Sequence, residues 1–328
     1  MKIHPKKSLG QHFLKDESIA REIIDCLNPE IPLVLEIGPG KGVLSKYLLD
    51  DPAFDPWFIE IDRNSVAYLK ELYPAIGDRL IEADFLKFDL EAFSIHPTPD
   101  PSPEGEGSKP PLGGLGVQPA MRHKAQSSEH RAQGTDNRQL TTDNRQLTTD
   151  NRQPASSIQH PASRIQILGN FPYNISSQIL FRVLEYKEQV KEVTGMFQRE
   201  VALRIASPPG SKQYGILSVL LQAFYQIEYR FSVDESVFVP PPKVKSAVIR
   251  LIRNEVKELD CDEQFWRVVV KTAFNQRRKT LRNSLKKLGP EGFSGWEDPL
   301  FDLRPEQLPV ADFVRLARML HPESTEKY

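Results

Sequence analysis

The sequence has few cysteines and no long apolar run. Its 328 residues include only Cys26 and Cys261, too few for a disulfide framework or, by themselves, for a zinc site. No stretch reaches the about 18 consecutive apolar residues that a membrane-spanning helix needs. The first residues also lack the apolar segment of a secretory signal. These absences predict a cytoplasmic protein with no membrane partner, and the isolated histidines predict no metal site.

The net charge is also close to zero, but it is the sum of three parts of the chain that differ in charge. Residues 1–96 carry 11 basic and 17 acidic side chains, residues 97–163 carry 7 and 7, and residues 164–328 carry 25 and 20. The three parts therefore have net charges of −6, 0 and +5. Because the last part is basic, the overall charge of −1 does not exclude a nucleic-acid partner.

The middle part has the composition of a disordered insertion. Residues 97–163 contain nine prolines, six glycines and no Phe, Tyr or Trp, and they repeat the heptapeptide TDNRQLT. Such a segment buries too little apolar surface to offset the entropy of ordering its backbone. We therefore predict 261 residues of ordinary globular sequence interrupted by this insertion (328 minus 67).

Outside the insertion, apolar strand-like runs alternate with helical runs. Strands that follow helices at this spacing form a parallel sheet with right-handed crossovers, which predicts an α/β fold. The runs around VPPPK (239–243) are predicted to pair as an antiparallel hairpin at the sheet edge. The pattern is helical from Asp262 onward, so we predict one domain over residues 1–254 and a smaller helical one over 255–328. The predicted strands are 33–38, 57–62, 80–85, 165–170 and 192–197, and the predicted helices before residue 255 are 18–27, 43–50, 64–72 and 177–186.

Polar groups follow the first three predicted strands. The first ends in EIGPGKG (36–42), in which glycines allow a tight turn and close approach of a ligand to backbone N–H groups. Glu60 ends the second strand, where a carboxylate can accept hydrogen bonds from ribose hydroxyls. Asp84 ends the third, where it can accept from the amine of an adenine ring. The glycine motif alone is also compatible with a tight turn that binds no ligand, with Glu60 and Asp84 as solvated acids. However, open α/β sheets bind ligands at the edge formed by the carboxyl ends of their strands.

The fourth strand leads into Asn170-Phe171-Pro172-Tyr173, which points to S-adenosylmethionine rather than NAD as the cofactor. The Asn170 side-chain carbonyl and a backbone carbonyl before or at Pro172 can accept the N–H bonds of a ring-conjugated amine. This frees the lone pair of the nitrogen for in-line attack on a sulfonium methyl group. Tyr173 offers a ring on which an extruded base can stack. Taken alone, the motif is also typical of a strand end with an aromatic core anchor.

The chain resembles the ribosomal RNA adenine N6-dimethyltransferase family, and specifically its bacterial small-subunit (16S) group. The resemblance covers most of the chain except the insertion and about the last forty residues. It rests on KKSLGQHFL (6–14), VLEIGPGKG (34–42), FIEID (58–62), EADF (82–85), GNFPYNIS (169–176), MFQREVALRI (196–205), YGILSV (214–219), VFVPPPKVKSAVIRL (237–251) and AFNQRRKTLRNSL (273–285).

The resemblance implies a Rossmann-like S-adenosylmethionine-dependent methyltransferase sheet with a smaller C-terminal helical domain that binds RNA. It implies dimethylation of two adjacent adenosines in the 3′-terminal hairpin of 16S RNA, within a late precursor of the small ribosomal subunit. Nothing in the sequence indicates an obligate dimer seam, so we predict a monomer. Asn170, Pro172 and Tyr173 would hold the target adenine. The residues implied at the cofactor are His12, Leu14, Gly38, Glu60, Asp84 and Asn170. The family has a short connection where residues 97–163 stand.

Residues 271–287 carry seven basic side chains and no acidic one. On helical spacing Phe274, Leu281 and Leu285 face inward, and the basic residues lie elsewhere. A charge run is often only a solvated face, but like charges without compensating acids repel one another unless an anion is bound. Together with a base-modifying site, the run predicts a contact surface for RNA phosphates. Its predicted members are Arg277, Arg278, Lys279, Arg282, Lys286 and Lys287.

Three alternatives use the same motifs. A methyltransferase of 23S RNA that confers antibiotic resistance would share the glycine loop and the N-F-P-Y motif. A DNA adenine methyltransferase would typically carry a target-recognition domain, for which the sequence has no candidate. A small-subunit assembly factor without an essential catalytic role would keep the RNA-binding features.

Overall fold

The computed structural model describes residues 5–6, 9–93 and 164–321, so the predicted insertion at 97–163 lies outside the described residues. The strands are β1 Phe13–Leu14, β2 Leu33–Ile37, β3 Asp55–Glu60, β4 Leu80–Glu82, β5 Ile165–Asn170, β6 Val190–Gln198, β7 Tyr225–Val233, β8 Phe238–Val239 and β9 Ser246–Arg253. The helices are α1 Glu17–Ile24, α2 Ser45–Asp50, α3 Arg63–Leu72, α4 Leu90–Phe93, α5 Ser176–Glu185, α6 Arg199–Ala206, α7 Ile216–Gln222, α8 Glu263–Asn275, α9 Leu281–Ser284 and α10 Val310–Leu320.

Seven strands form one sheet in the order β4-β3-β2-β5-β6-β9-β7. The first five in this order pair in parallel, and β9 pairs antiparallel with both β6 and β7. The predicted α/β class and the antiparallel edge hairpin are therefore confirmed. The chain runs from β2 outward to β4 and then returns to β5 on the other side of β2. The carboxyl ends of β2 and β5 thus flank a topological switch point, where ligands of open α/β sheets bind.

The structure differs from the sequence-based predictions at three places. The third strand ends at Glu82, so Asp84 lies in the following loop. The connection between β7 and β9 contains β8, which pairs with β1 far away in the chain. The basic run is not one helix, because α8 ends at Asn275 and α9 begins at Leu281.

A tertiary hydrogen bond lies at the break in the basic run. The Leu281 N–H donates to the Leu303 carbonyl at 2.8 Å rather than to a carbonyl one helical turn earlier. Leu281 and Leu285 are fully buried, as the helical spacing predicted, although the backbone before them is not helical.

The core lies on both faces of the sheet. One face is covered by α1, α2 and α3 together with the β1–β8 pair. The other is covered by α5, α6 and α7, and the C-terminal helices α8 and α10 pack into the same cluster through residues such as Trp266 and Phe313. The domain boundary at residue 254 stays a prediction. Within the described ranges, no helix combines the length and apolar character needed to cross a membrane.

Candidate active site

A pocket lies at the switch point between β2 and β5, and we call it the strand-end pocket. Its walls come from the loops after β2, β3, β4 and β5 and from residues 9–14, the N-terminal arm. All eight residues predicted for cofactor binding and catalysis line it: His12, Leu14, Gly38, Glu60, Asp84, Asn170, Pro172 and Tyr173. The fold therefore brings together residues that are up to 161 positions apart in the sequence.

Glu60 holds the glycine loop in place. Its Oε2 accepts the Gly40 N–H at 3.1 Å, and its Oε1 accepts the Asp62 N–H at 2.9 Å. The side chain is buried, and this burial raises the pKa of Glu60 above its ordinary value. Each carboxylate oxygen can accept a second hydrogen bond, so Glu60 supports the loop and still offers acceptors to a ligand.

Glu36, for which the sequence motifs predicted no role, also lines the pocket. It is 2% exposed, and its Oε2 accepts the Ser45 hydroxyl at 2.7 Å. Burial, with a further contribution from the negative charge of Glu60, raises the pKa of Glu36 from 4.5 to about 8. The signal was available in LVLEIG, since a carboxyl group in an otherwise apolar buried strand needs a reason.

Glu36 should make stability depend on pH. Between about pH 4.5 and 8 the folded protein keeps a proton on Glu36 that the unfolded chain releases. The free energy of unfolding should therefore fall as the pH rises through this window and level off above it. Urea unfolding at pH 5, 6, 7 and 8 should show this decrease in the free energy of unfolding for the wild-type protein. In Glu36→Gln the decrease should be smaller by roughly a few kcal/mol. Parallel curves for the two proteins would contradict this expectation.

Asn170 is oriented by the N-terminal arm. Its side-chain Nδ2 donates to the His12 carbonyl oxygen at 2.9 Å. The amide is thereby fixed with its N–H on the arm, which leaves Oδ1 as the acceptor for a ligand in the pocket. This is the polarity that the predicted amine-binding role requires.

The two candidate backbone acceptors next to Asn170, the carbonyls of Phe171 and Pro172, differ in whether they already accept a hydrogen bond. The Pro172 carbonyl already accepts the Ile175 N–H at 3.1 Å. The Phe171 carbonyl accepts no hydrogen bond from the described residues. The side chain of Phe171 is buried and contacts the Phe197 ring, so Phe171 anchors the motif in the core. Tyr173 is the aromatic residue of the motif that remains available to a ligand in the pocket.

Tyr173 is held as a neutral, fixed ring. Its hydroxyl is 2.5 Å from the Ser246 hydroxyl, and burial raises the pKa of Tyr173. The His12 ring stacks on it with a centroid separation of 5.6 Å and an interplanar angle of 24°. His12 Nδ1 lies 2.8 Å from the Pro240 carbonyl oxygen and must donate to it, since a carbonyl only accepts.

The arm that carries His12 and Leu14 is anchored at both ends. Phe13 pairs with Val239 and Leu14 with Phe238 in the β1–β8 ladder. Farther toward the N-terminus, Lys6 Nζ lies 2.6 Å from the Asp62 carboxylate. The arm is thus a fixed wall of the pocket.

Asp84 reaches the pocket from the loop after β4. Its Oδ1 accepts the Leu86 N–H at 3.0 Å, and the preceding Ala83 N–H donates to the Glu60 carbonyl at 3.1 Å. Because this second bond continues the β3–β4 pairing past the end of β4, Asp84 stays at the same sheet edge as Glu60. Among the described residues, no group of three or more His, Cys, Asp or Glu side chains is placed to hold a metal ion.

The basic residues of the run 271–287 divide into two groups. Arg277 donates to the Ser211 carbonyl at 3.2 Å and lies 3.8 Å from Glu306, and Arg282 lies 2.6 Å from Asp302. Acidic residues from the following segment therefore compensate part of the run, contrary to the expectation that it lacks such partners. The side chains that are exposed and form no ion pair with the described residues are Lys271, Arg278, Lys279, Lys286 and Lys287.

The sequence matches the ribosomal RNA adenine dimethylase family over residues 3–320. The chain belongs to this family. It is 46% identical to ribosomal RNA small subunit methyltransferase A of Porphyromonas gingivalis, over 98% of this chain and 99% of that protein. It is 44% identical to the protein of the same name from Bacteroides thetaiotaomicron, over 97% and 94%.

The ribosomal RNA adenine dimethylase family also accounts for the fold. The crystal structure of a dimethyladenosine transferase from Plasmodium falciparum superposes with a TM-score of 0.61 at 21% identity, covering 95% of this chain and 97% of that one. Membership in the family makes this chain a methyltransferase, so the predicted class of enzyme is confirmed. The roles of individual pocket residues stay predictions.

Proposed function

We propose that the protein uses S-adenosylmethionine to dimethylate N6 of two adjacent adenosines in the 3′-terminal hairpin of 16S RNA, acting as a cytoplasmic monomer on a late small-subunit precursor. The observation that carries the chemistry is the orientation of Asn170, whose Nδ2 is bound to the arm. The choice of the small subunit follows the names of relatives that match nearly the whole chain.

The strand-end pocket fits this cofactor. A Cβ built on Gly38 meets no atom within 4 Å, so the backbone is open to close approach by a ligand there. Glu60 is buried beside this space and forms no ion pair with the described residues. A buried carboxylate without a cationic partner suits a positively charged ligand.

Catalysis would rest on positioning. When bound, S-adenosylmethionine supplies an electrophilic methyl group on a sulfonium centre. Asn170 Oδ1 and the Phe171 carbonyl would accept the two N6–H bonds of adenine, while Tyr173 supports the ring face. The N6 lone pair then forms the N–C bond in line as the S–C bond breaks, and N6 loses a proton to water. A second round on the monomethylated nitrogen needs only one of the two acceptors.

A substrate panel tests the proposal. Purified protein and tritiated S-adenosylmethionine are incubated separately with unmethylated 30S particles, large-subunit RNA and duplex DNA. Label should appear in N6-dimethyladenosine of the 30S sample alone. Incorporation into large-subunit RNA or DNA instead would refute the chosen substrate, and binding to 30S particles without incorporation would favour the assembly factor.

The exposed basic residues should contribute mainly to RNA affinity. Replacing Lys286 and Lys287 by glutamine should weaken RNA binding and lower the salt slope of log K by about one per lost phosphate contact. Titrations at several salt concentrations measure this, with Lys257→Gln as an exposed control outside the run. Arg282→Gln should instead lower stability, since Arg282 bridges to Asp302. An unchanged salt slope in the double variant would remove these lysines from the RNA surface.

A further inference from the structure

A second concavity lies beyond Phe13 from the strand-end pocket, and we call it the outer groove. It runs between the arm, the start of α1, the glycine loop and α3. Phe13, Leu14, Lys41 and Val43 line both the pocket and the groove, so the two are adjacent and share a wall. Nothing in the chemistry described above uses the groove.

The charge of the outer groove is positive. Three lysines line it, Lys15, Lys41 and Lys46, against one acid, Glu17. Glu17 is already paired with Lys46. Lys41 Nζ lies 4.9 Å from the centroid of the Phe13 ring, and Lys15 is exposed; neither forms an ion pair with the described residues. Two ammonium groups are thus available to an anion at the rim of the pocket.

The floor and sides of the outer groove are aromatic and apolar. Tyr68 and Tyr73 line it from α3 and its C-terminal end. Two neighbouring apolar side chains are unusually open to solvent, Leu72 at 47% and Val239 at 45% exposure. Rings beside uncompensated ammonium groups are the combination by which proteins bind single-stranded nucleic acids, because bases stack while cations contact phosphates.

We infer that the outer groove binds the nucleotide adjacent to the target adenosine, its base against Tyr68 and Leu72 and its phosphate near Lys15 and Lys41. This rests on the proposed function for the identity of the ligand as RNA. Two observations favour RNA over a second protein chain: the excess of positive charge and the position of the groove directly beside the pocket, across the wall that contains Phe13 and Lys41. The groove would hold one neighbour of the target while the other base occupies the pocket, which suits a substrate with two adjacent adenosines.

Fluorescent RNA hairpins test this assignment without methyl transfer. 2-Aminopurine replaces the 5′ or the 3′ neighbour of the target, and binding to wild-type protein should quench one of the two probes. Tyr68→Ala should restore most of that fluorescence at saturating protein and raise the Kd for RNA about tenfold. Lys15→Gln should lower the salt slope of binding by about one. Lys70→Gln, an exposed lysine on α3 outside the groove, is the matched control.

Several outcomes would overturn the inference. One is bound RNA with neither probe quenched; another is a Tyr68→Ala protein that binds RNA as the Lys70→Gln control does. A change in sedimentation of Tyr68→Ala would instead identify the groove as a contact between copies of the chain. Cofactor affinity is measured for each variant and should not change. Because quenching needs no catalysis, a wild-type protein that quenches a probe but transfers no methyl group would refute the proposed function and leave the groove assignment standing.

Discussion

Asn170→Ala is expected to lower kcat for adenine methylation by roughly 10²- to 10³-fold, the usual loss when one oriented polar group leaves a desolvated site. The change removes Oδ1, the acceptor that the arm aims at the pocket, and it also removes the 2.9 Å bond from Nδ2 to the His12 carbonyl. Loss of that bond should cost about 1 kcal/mol of stability, so the protein should still fold. Incorporation of tritium under saturating RNA and cofactor measures kcat, and urea unfolding measures stability.

Two further variants separate the acceptor from the anchor. Asn170→Asp keeps acceptor oxygens but has no N–H for the His12 carbonyl, so its activity should lie between those of wild type and Asn170→Ala. Asn64→Ala, at an exposed position on α3, should behave as wild type. If Asn170→Ala retained activity within about threefold of wild type while folded, a role for its Oδ1 in holding N6 would be excluded.

Gly38→Ala is expected to weaken S-adenosylmethionine binding roughly 10- to 100-fold, as overpacking of a fitted site does. Gly38 has a φ of +68°, and the position of a Cβ there is open space at the wall of the pocket. The methyl group would therefore occupy volume that the cofactor needs, and the strained backbone would cost about 1 kcal/mol of stability. Isothermal titration of cofactor without RNA measures the loss directly.

Gly210→Ala supplies the control for Gly38→Ala. Gly210 also has a positive φ, +88°, and its Cβ position also meets no atom within 4 Å, but it lies in the loop after α6, away from the pocket. The two variants should lose similar stability, and only Gly38→Ala should lose cofactor affinity. Equal affinities in both would mean that the ligand does not approach Gly38.

Much of the fold was predictable because burial of a sheet on both faces produces recognisable local patterns of apolar residues in the sequence. Each central strand is a short apolar run, and the helices between them carry one apolar face, so β2, β3, β5 and β6 were found close to their observed bounds. The β1–β8 pair has no such sequence pattern, since each strand has two residues and the pairing spans more than 200 positions. The break before α9 was also not predicted, because the Arg and Lys residues there favour a helix and the contact of Leu281 with Leu303 is not encoded locally.

The site was predictable where strand ends carry unusual residue types. Gly38, Glu60 and Asn170 follow directly from strand positions, because parallel strands place their carboxyl ends at one edge. Glu36 was missed because it lies inside the strand rather than after it. The orientation of Asn170 depends on a backbone carbonyl of His12, and no residue type encodes that contact.

The β1–β8 ladder cannot form until the chain has been synthesised past Val239. Phe13 leaves the ribosome early, yet its partner Val239 follows only after most of the sheet has been made. Until then the arm has no strand to pair with, and of its two anchors only the ion pair of Lys6 with Asp62 can form. A chain that ends before β8 thus has the glycine loop and Asn170 but lacks the ladder that fixes Phe13 and Leu14. A ligand that binds only the finished pocket also adds its binding free energy to this long-range contact.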